Sequence, residues 1–425
     1  MQVNSFILLL FLGIFGYPSC CIAQNAHEKV IFTQDSIDAY LKRADTDPMS
    51  AILKSYEASG YNYLVPYYLS IESKADSTNK PLYFAHRTVL TTFSSFVGDV
   101  KNNETSYIDS RHWETDIVED ANYTALDAVS EIARIARAHQ VIMLNESHID
   151  PRERLFLSSL LPILKAEGFT YLFIEGLHEE NIDKRGFPLQ TSGFYTSEPM
   201  FGNLIRKAIQ LGFKLIPYDC NETPCNTIPE REQHQAATIY ETFKNDPQAK
   251  AIVFAGHAHI NKDPQKNWMA HRFKTLSGID PLCINQSINS EAPQLFHHLR
   301  QHINQPVIYK NLKTDTYREF SELNLVDVTI VFPNTEWIND RYATWLLHNG
   351  SIPYNLRLAD KKYDRTLLSV FKCNEFDQFG ALAVPVMNIV LQATTEQKIF
   401  LDKGSYYIRV VDLYGQEIHK EKITL

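Results

Sequence analysis

The sequence predicts an α/β domain over residues 124–310, built on a mainly parallel sheet with helices on both faces. A mostly helical N-terminal segment precedes it, and a β-sandwich-like C-terminal domain follows it. Three observations carry this reading. The apolar runs VIML (141–144), TYLFI (170–174), KLIPY (214–218) and AIVFA (251–255) are continuous rather than alternating, as in strands buried on both faces. Stretches of helical periodicity alternate with them, the pattern of a parallel sheet. Beyond residue 311 the pattern changes to short runs rich in branched and aromatic residues, broken by turn signals.

Each element has its own signal. ALDAVSEIARIARAH (125–139) places Leu126, Val129, Ile132, Ile135 and Ala136 near one helix face. VIML follows as a strand. DPRE then opens a helix. Asp150 suits its N-cap, Pro151 its first helical position, and Glu153 the closing residue of a capping box. Phe156, Leu160, Ile163 and Leu164 form its apolar line, and Gly168 ends it. Strand TYLFI, a helix over 198–213, strand KLIPY, a helix over 228–243 and strand AIVFA continue the alternation. APQLFHHLRQHI (292–303) is a last helix and PVIYK (306–310) a last strand. In the C-terminal part, VDVTIVF, MNIVLQAT, QKIFL and the segment from Ser405 onward read as strands, with DKG and YGQ as turns.

The first 23 residues differ from the rest. The apolar run from Phe6 to Tyr17 has the length of a signal-peptide core and is short for a membrane span, with cleavage expected after Ala23. Cys20 or Cys21 as a lipidation site is the alternative. No later stretch is apolar enough to span a bilayer, so an exported protein is expected, periplasmic or secreted. Residues 24–123 hold two helical stretches, SIDAYLKRA and PMSAILKSYEAS. A length of 425 residues exceeds one ordinary core and fits this division into domains. The net charge of -9 speaks against a nucleic-acid partner. Cys220 and Cys225 can form a local disulfide or remain two thiols. With no second pair, Cys-x4-Cys is a weak zinc signature.

Polar residues follow the strands. Asn145-Glu146-Ser147-His148 follows VIML, Glu175 follows TYLFI, Asp219 follows KLIPY and Gly256-His257-Ala258-His259 follows AIVFA. In a parallel sheet these carboxyl ends share one rim, where such folds bind ligands. Glu232 continues the buried line of its helix (Ala236, Ile239, Tyr240, Phe243) back toward that rim, with Arg231 beside it. Arg152 similarly extends the Phe156–Leu160 line. Arg152 and Arg231 can equally serve as scaffolding, paired with Glu146 or Glu175. His257 and His259 are two apart, so in an extended segment only one faces the site, and His259 is favoured. Glu146 and His148 share a parity. Asp219 can instead merely cap a turn.

These motifs resemble those of the superfamily containing the erythromycin esterases, ChaN-type haem-binding lipoproteins and TraB/Tiki proteins. That pattern is a strand ending Gly-Glu-x-His, a second ending in Glu and a late one ending Gly-x-x-His. NESH matches the first with Asn145 in the glycine place, FIEG the second, and GHAH the third in full. The resemblance covers about 140–285 and implies site roles for Glu146, His148, Glu175 and His259, with Arg231 in the place of a helical arginine. Longer stretches resemble a branch of uncharacterised secreted or envelope bacterial proteins.

Two functions follow. The first is a hydrolase of an ester, lactone or amide, acting on a small-molecule or peptide substrate. In a metal form, Glu146, His148, Glu175 and His259 would hold Zn, Mn or Co, with Glu232, His257 and Asp219 as weaker ligands. In a metal-free form, His148 is the base, Glu146 or Glu175 orients it, and Arg231 or His259 steadies the oxyanion. Gly-x-Ser-x-Gly is absent. The second function is a non-catalytic haem- or metal-binding envelope protein with His148 or His259 as axial ligand. Several acids converging with two histidines favour the hydrolase.

Overall fold

The computed structural model describes residues 33–44, 64, 122–220, 225–287, 289, 297–300, 302–318, 320, 325–338, 342–358, 363, 365–391 and 396–425. The stretch expected to be a signal peptide, the candidate lipidation cysteines Cys20 and Cys21, and PMSAILKSYEAS therefore lie outside the described residues. SIDAYLKRA falls in helix α1 (Gln34–Ala44). Among the described residues, no helix is long and apolar enough to cross a membrane.

The chain divides into two compact units. One comprises residues 104–186 and 204–334, the other 1–103, 187–203 and 335–425. The first is the α/β unit. Its elements run β1 (Tyr123–Asp127), α2 (Ala128–Ala136), β2 (Val141–Glu146), α3 (Pro151–Ala166), β3 (Tyr171–Ile174), α4 (Pro199–Gln210), β4 (Lys214–Pro217), α5 (Ile228–Asn245), β5 (Ala251–Gly256), α6 (Met269–Ser277), β6 (Leu282–Asn285), β7 (Val307–Asn311), β8 (Thr316–Tyr317) and β9 (Val328–Thr329). Helix α4 begins within the residues of the other unit.

Six of these strands form one parallel sheet in the order β4-β3-β5-β2-β6-β9. The chain leaves β2, passes outward to β3 and β4, and returns to place β5 between β3 and β2. The carboxyl ends of β3, β5 and β2 are thereby neighbours at the centre of the sheet. Register enforces this, since Glu146 lies opposite Gly256, and Ile174 opposite Phe254.

Continuous apolar strands are what a doubly covered sheet requires. Val141, Met143, Phe173, Val253 and Cys283 pack with Ala236, Ile239 and Phe243 of α5 and Met269, Ala270 and Phe273 of α6. The alternate residues Ile142, Leu144, Leu172, Ile174, Ile252, Phe254 and Ile284 are also buried, so both faces are covered.

Several expectations are corrected. VDVTIVF is taken from the sequence as part of the sandwich, but its Val328–Thr329 pairs in parallel with β6 in the large sheet. PVIYK is a strand but pairs antiparallel with β1, outside the large sheet. Strand β6 carried no prediction. LCIN is only four residues long and is followed by polar Gln286 and Ser287. Glu153 closes no capping box. Asp150 caps α3 by accepting from Arg152 N, while the Glu153 side chain accepts from Ser147 N at 2.6 Å. The expected box is instead found on α5, between Thr227 and Glu230.

The other unit contains antiparallel sheets. One is four-stranded, with β14 (Met387–Leu391), β13 (Thr366–Lys372), β16 (Ser405–Val411) and β17 (Glu417–Thr424) in that order. Another pairs β12 (Ile352–Arg357) with β15 (Glu396–Leu401), and a short hairpin pairs β10 (Trp337–Ile338) with β11 (Tyr342–Ala343). Residues 187–203 belong to this unit: Gln190 N donates to Leu382 O, and Asn203 Nδ2 to Val386 O.

Phe273 is fully buried between α5 and the sheet. Phe273→Ala is expected to cost about 3–5 kcal/mol in denaturant unfolding, the range for removing a buried aromatic. A loss below about 1 kcal/mol would mean that this core is not closed as described.

Candidate active site

The rim begins with a buried chain of three groups. Glu146, the last residue of β2, is 3% exposed. Its Oε1 lies 2.7 Å from His148 Nδ1, and its Oε2 accepts from Arg154 Nε at 2.6 Å. Arg154 also donates from Nη2 to the His148 carbonyl at 3.2 Å. One buried guanidinium thus grips both members of the Glu146–His148 pair. Burial alone would raise the Glu146 carboxyl, but Arg154 and His148 outweigh it and hold the pKa down at about 2. On His148 the balance reverses. Burial, the largest influence, lowers its pKa despite the attraction of Glu146, with His257 adding to the depression.

His148 does not sit in an extended segment. Its φ is 65°, a left-handed conformation, and this turn folds the ring back onto Glu146. His257, at the other motif, has φ 35°. His257–Ile260 forms a 3-10 turn, so the alternation argument for His257 and His259 loses its premise. His257 packs edge-on against the His148 ring, with centroids 5.2 Å apart. His259 turns to the carboxylates.

A second buried chain lies beside the first. Glu175 Oε1 accepts from Arg231 Nη2 at 2.6 Å and lies 3.3 Å from His259 Nε2, while its Oε2 accepts from Gly256 N. His259 Nδ1 is 2.7 Å from Glu232 Oε1, an ion pair whose angles are poor for a hydrogen bond. Glu232 Oε2 accepts from Met269 N at 2.6 Å, fixing it to the start of α6. Burial would lower the His259 pKa, but Glu232 and Glu175 on either side raise it to about 10. Glu175 is held well below the usual carboxylate range, since His259 and Arg231 overcome the effect of burial. Asp219 completes the chain, accepting from Arg231 Nε and Nη2, both at 2.7 Å, and from Gln235 Nε2 at 2.8 Å.

Gly256 joins the two chains. A Cβ there would lie 2.6 Å from His148 Nε2, 2.8 Å from His148 Cε1 and 3.2 Å from Glu175 Oε2. The glycine is required by this approach of an imidazole to the β5 backbone.

Glu146, His148, Glu175, Arg231, Glu232, Asp219, His257 and His259 therefore all lie at one rim. Arg152 does not join them, because it pairs with its own cap, Asp150, at 2.6 Å. Sequence reasoning missed Arg154. It also missed the fastening of the first motif. Asn145 Nδ2 donates to His257 O at 2.9 Å, Asn285 Oδ1 at 3.0 Å and Ser287 Oγ at 2.8 Å, and Asn145 Oδ1 accepts from Gln286 N at 2.8 Å. Asn145 has no left-handed backbone, so the asparagine in the glycine place costs no strain and binds three loops together. The i+8 spacing of Glu146 and Arg154 across a helix start was the available signal.

The rim does not fit the expected metal. Among the described residues, Glu146, His148, Glu175, Glu232, His257, Asp219 and His259 offer no three donor atoms within 4.8 Å of one another. Arg154 and Arg231 instead supply the positive charge that a cation would. The group that meets this spacing is Cys220, Cys225 and His234, and Cys220 and Cys225 form a disulfide.

No protein-family model matches the chain, and no curated protein does. Similar solved structures include the type III effector HopBA1, 10% identical, covering 51% of this chain and 99% of that one at TM-score 0.32. A structure described as bacterial protein toxins is 15% identical, covering 58% and 57% at TM-score 0.30. RRSP, a MARTX toxin effector domain from Vibrio vulnificus CMCP6, is 14% identical, covering 60% and 56% at TM-score 0.29. The chain spans a little over half of the last two. At these values the likeness carries no argument about activity.

Gly256→Ala is expected to push the His148 ring from its place, visible as a displaced imidazole in a crystal structure of the variant. An unmoved ring would contradict the close approach. The histidines also give a stability signature. His259 is charged in the fold up to about pH 10 but only to about pH 6.5 when unfolded. Its contribution is complete below about pH 6.5 and is lost as pH rises toward about 10. The stability gap between wild type and His259→Gln is therefore expected to narrow on going from pH 6 to pH 10. A gap that widens would reverse the assignment.

Proposed function

We propose that this chain is a metal-independent hydrolase of an ester, lactone or amide, in which His148 activates water. One observation carries the reading: His148 faces a single carboxylate already paired with Arg154, whereas His259 lies between the Glu175 and Glu232 carboxylates, so burial pushes the first imidazole down and the two acids push the second up. Environments that push neighbouring titratable groups apart are how a site separates its base from its electrophile.

With its Nδ1 proton donated to Glu146, neutral His148 carries its lone pair on Nε2. Nε2 takes a proton from water while the oxygen attacks the substrate carbonyl. Glu146 stabilises the imidazolium that forms, and Arg154 keeps Glu146 ionised and in place. Arg231 and His259 are the positive groups beside the base; His259 has both ring nitrogens turned to carboxylates, so the charge it lends a developing oxyanion acts through space rather than by a hydrogen bond. The proton on His148 Nε2 then passes to the leaving group, which restores the base. The proposal includes membership of the erythromycin esterase, ChaN and TraB/Tiki superfamily on the strand-end motifs. The Cys220–Cys225 disulfide supports an oxidising compartment, as export would give.

The haem-carrier alternative is disfavoured. His259 is not available as an axial ligand, because both its ring nitrogens face carboxylates, at 2.7 and 3.3 Å, and the carboxylates gathered around it are not what an apolar haem face requires.

The test is a panel of activated esters, lactones and amides, assayed in the presence of a chelator. Wild type is expected to turn over at least one class with the chelator present. His148→Ala should lower kcat by about 10²–10⁴-fold. The acid limb of the rate profile should fall below about pH 6.5, because the His148 pKa is depressed. Full activity in His148→Ala, or loss of activity with the chelator, would overturn the mechanism.

A further inference from the structure

We propose that Cys220, Cys225 and His234 form a second site, which takes a thiophilic divalent cation such as zinc once the Cys220–Cys225 disulfide is reduced. The three side chains each bring a donor atom within 4.8 Å of the other two. In a tetrahedral zinc site, bonds of ~2.3 Å to sulfur and ~2.0–2.1 Å to nitrogen set donor atoms about 3.3–3.8 Å apart. Reaching that cage requires the two sulfurs to part and the imidazole to close in, with the Cα atoms starting 6.0 Å apart.

His234 is held on a defined element. It projects from α5, whose first turn is fixed by the Thr227–Glu230 capping box, and Cys225 lies two residues before that cap. His234 is exposed and both cysteines are half-buried, so reductant and cation can reach the group. Cys283 and Cys373 are free and buried.

In the disulfide the sulfurs are bonded to each other and carry no charge to offer a cation. Reduction by a dithiol breaks that bond. Two electrons and two protons pass to Cys220 and Cys225, and the dithiol becomes a disulfide. Each cysteine releases its proton as its sulfur binds the cation. Two thiolates and a neutral imidazole then balance a 2+ ion and leave a fourth position for water. One pair of cysteines thus closes the same chain segment in either state, by a covalent bond when oxidised and by a metal when reduced. The site does not depend on the hydrolase reading.

The test uses the full chain, reduced with a phosphine and freed of excess reductant, then titrated with Co²⁺. One equivalent should bind with a thiolate-to-cobalt charge-transfer band and be displaced by Zn²⁺. The oxidised protein should give no such band. His234→Ala, at an exposed position, should bind on the order of 10- to 100-fold more weakly or worse. A reduced wild type without the band would overturn the proposal. So would His234→Ala binding as tightly as wild type, or a band that persists in the Cys220→Ser/Cys225→Ser double variant.

Discussion

Carboxylates buried at the end of a sheet must be matched by cations, and the α/β unit is organised around that requirement. Glu146, Glu175 and Glu232 are 3%, 7% and 1% exposed, so water screens none of them well. Arg154 answers Glu146, Arg231 answers Glu175 and Asp219, and His259 stands between Glu175 and Glu232. The last arrangement has a chemical consequence. An imidazole between two carboxylates is pushed up, whereas on His148, whose one carboxylate is already matched by an arginine, burial prevails and the pKa falls. The difference between the histidines is set by their neighbours' charge balance.

Backbone geometry brings the two chains together. Placing β5 between β3 and β2 makes three strand ends adjacent. The left-handed turn at His148 folds its ring over Gly256, whose amide is bonded to Glu175. Asn145 then ties the β2 end to the turn after β5 and to the residues after β6. Strain at His148 is offset by Arg154, which holds the carbonyl of that same residue.

Much of this was legible in the sequence. Continuous apolar runs gave the central strands, and the residues following them gave most of the rim, because a parallel sheet places every carboxyl end on one edge. The helical stripe led correctly to Glu232 and Arg231. What escaped has physical reasons. Arg154 is a charged residue in the first turns of a helix, where pattern reading assigns solvent, yet it is 1% exposed because Glu146 requires it. Strand β6 escaped because LCIN is a short apolar run with no further strand signal around it, and β9, read as a strand within VDVTIVF, was assigned to the wrong sheet because strand pattern does not specify a pairing partner. The His257–His259 alternation failed because the chain turns into a 3-10 helix as soon as the strand ends. The metal-ligand expectation counted acids and histidines but not the arginines that neutralise them.

The central claim is that the two rim histidines differ in protonation. Nitrogen-detected NMR of ¹⁵N-histidine-labelled protein at pH 8, assigned with His148→Gln and His259→Gln, addresses it most directly. The expected spectrum has His148 as a neutral ring with its proton on Nδ1, and His259 as a doubly protonated imidazolium. A charged His148, a neutral His259, or a His148 proton on Nε2 would contradict the account.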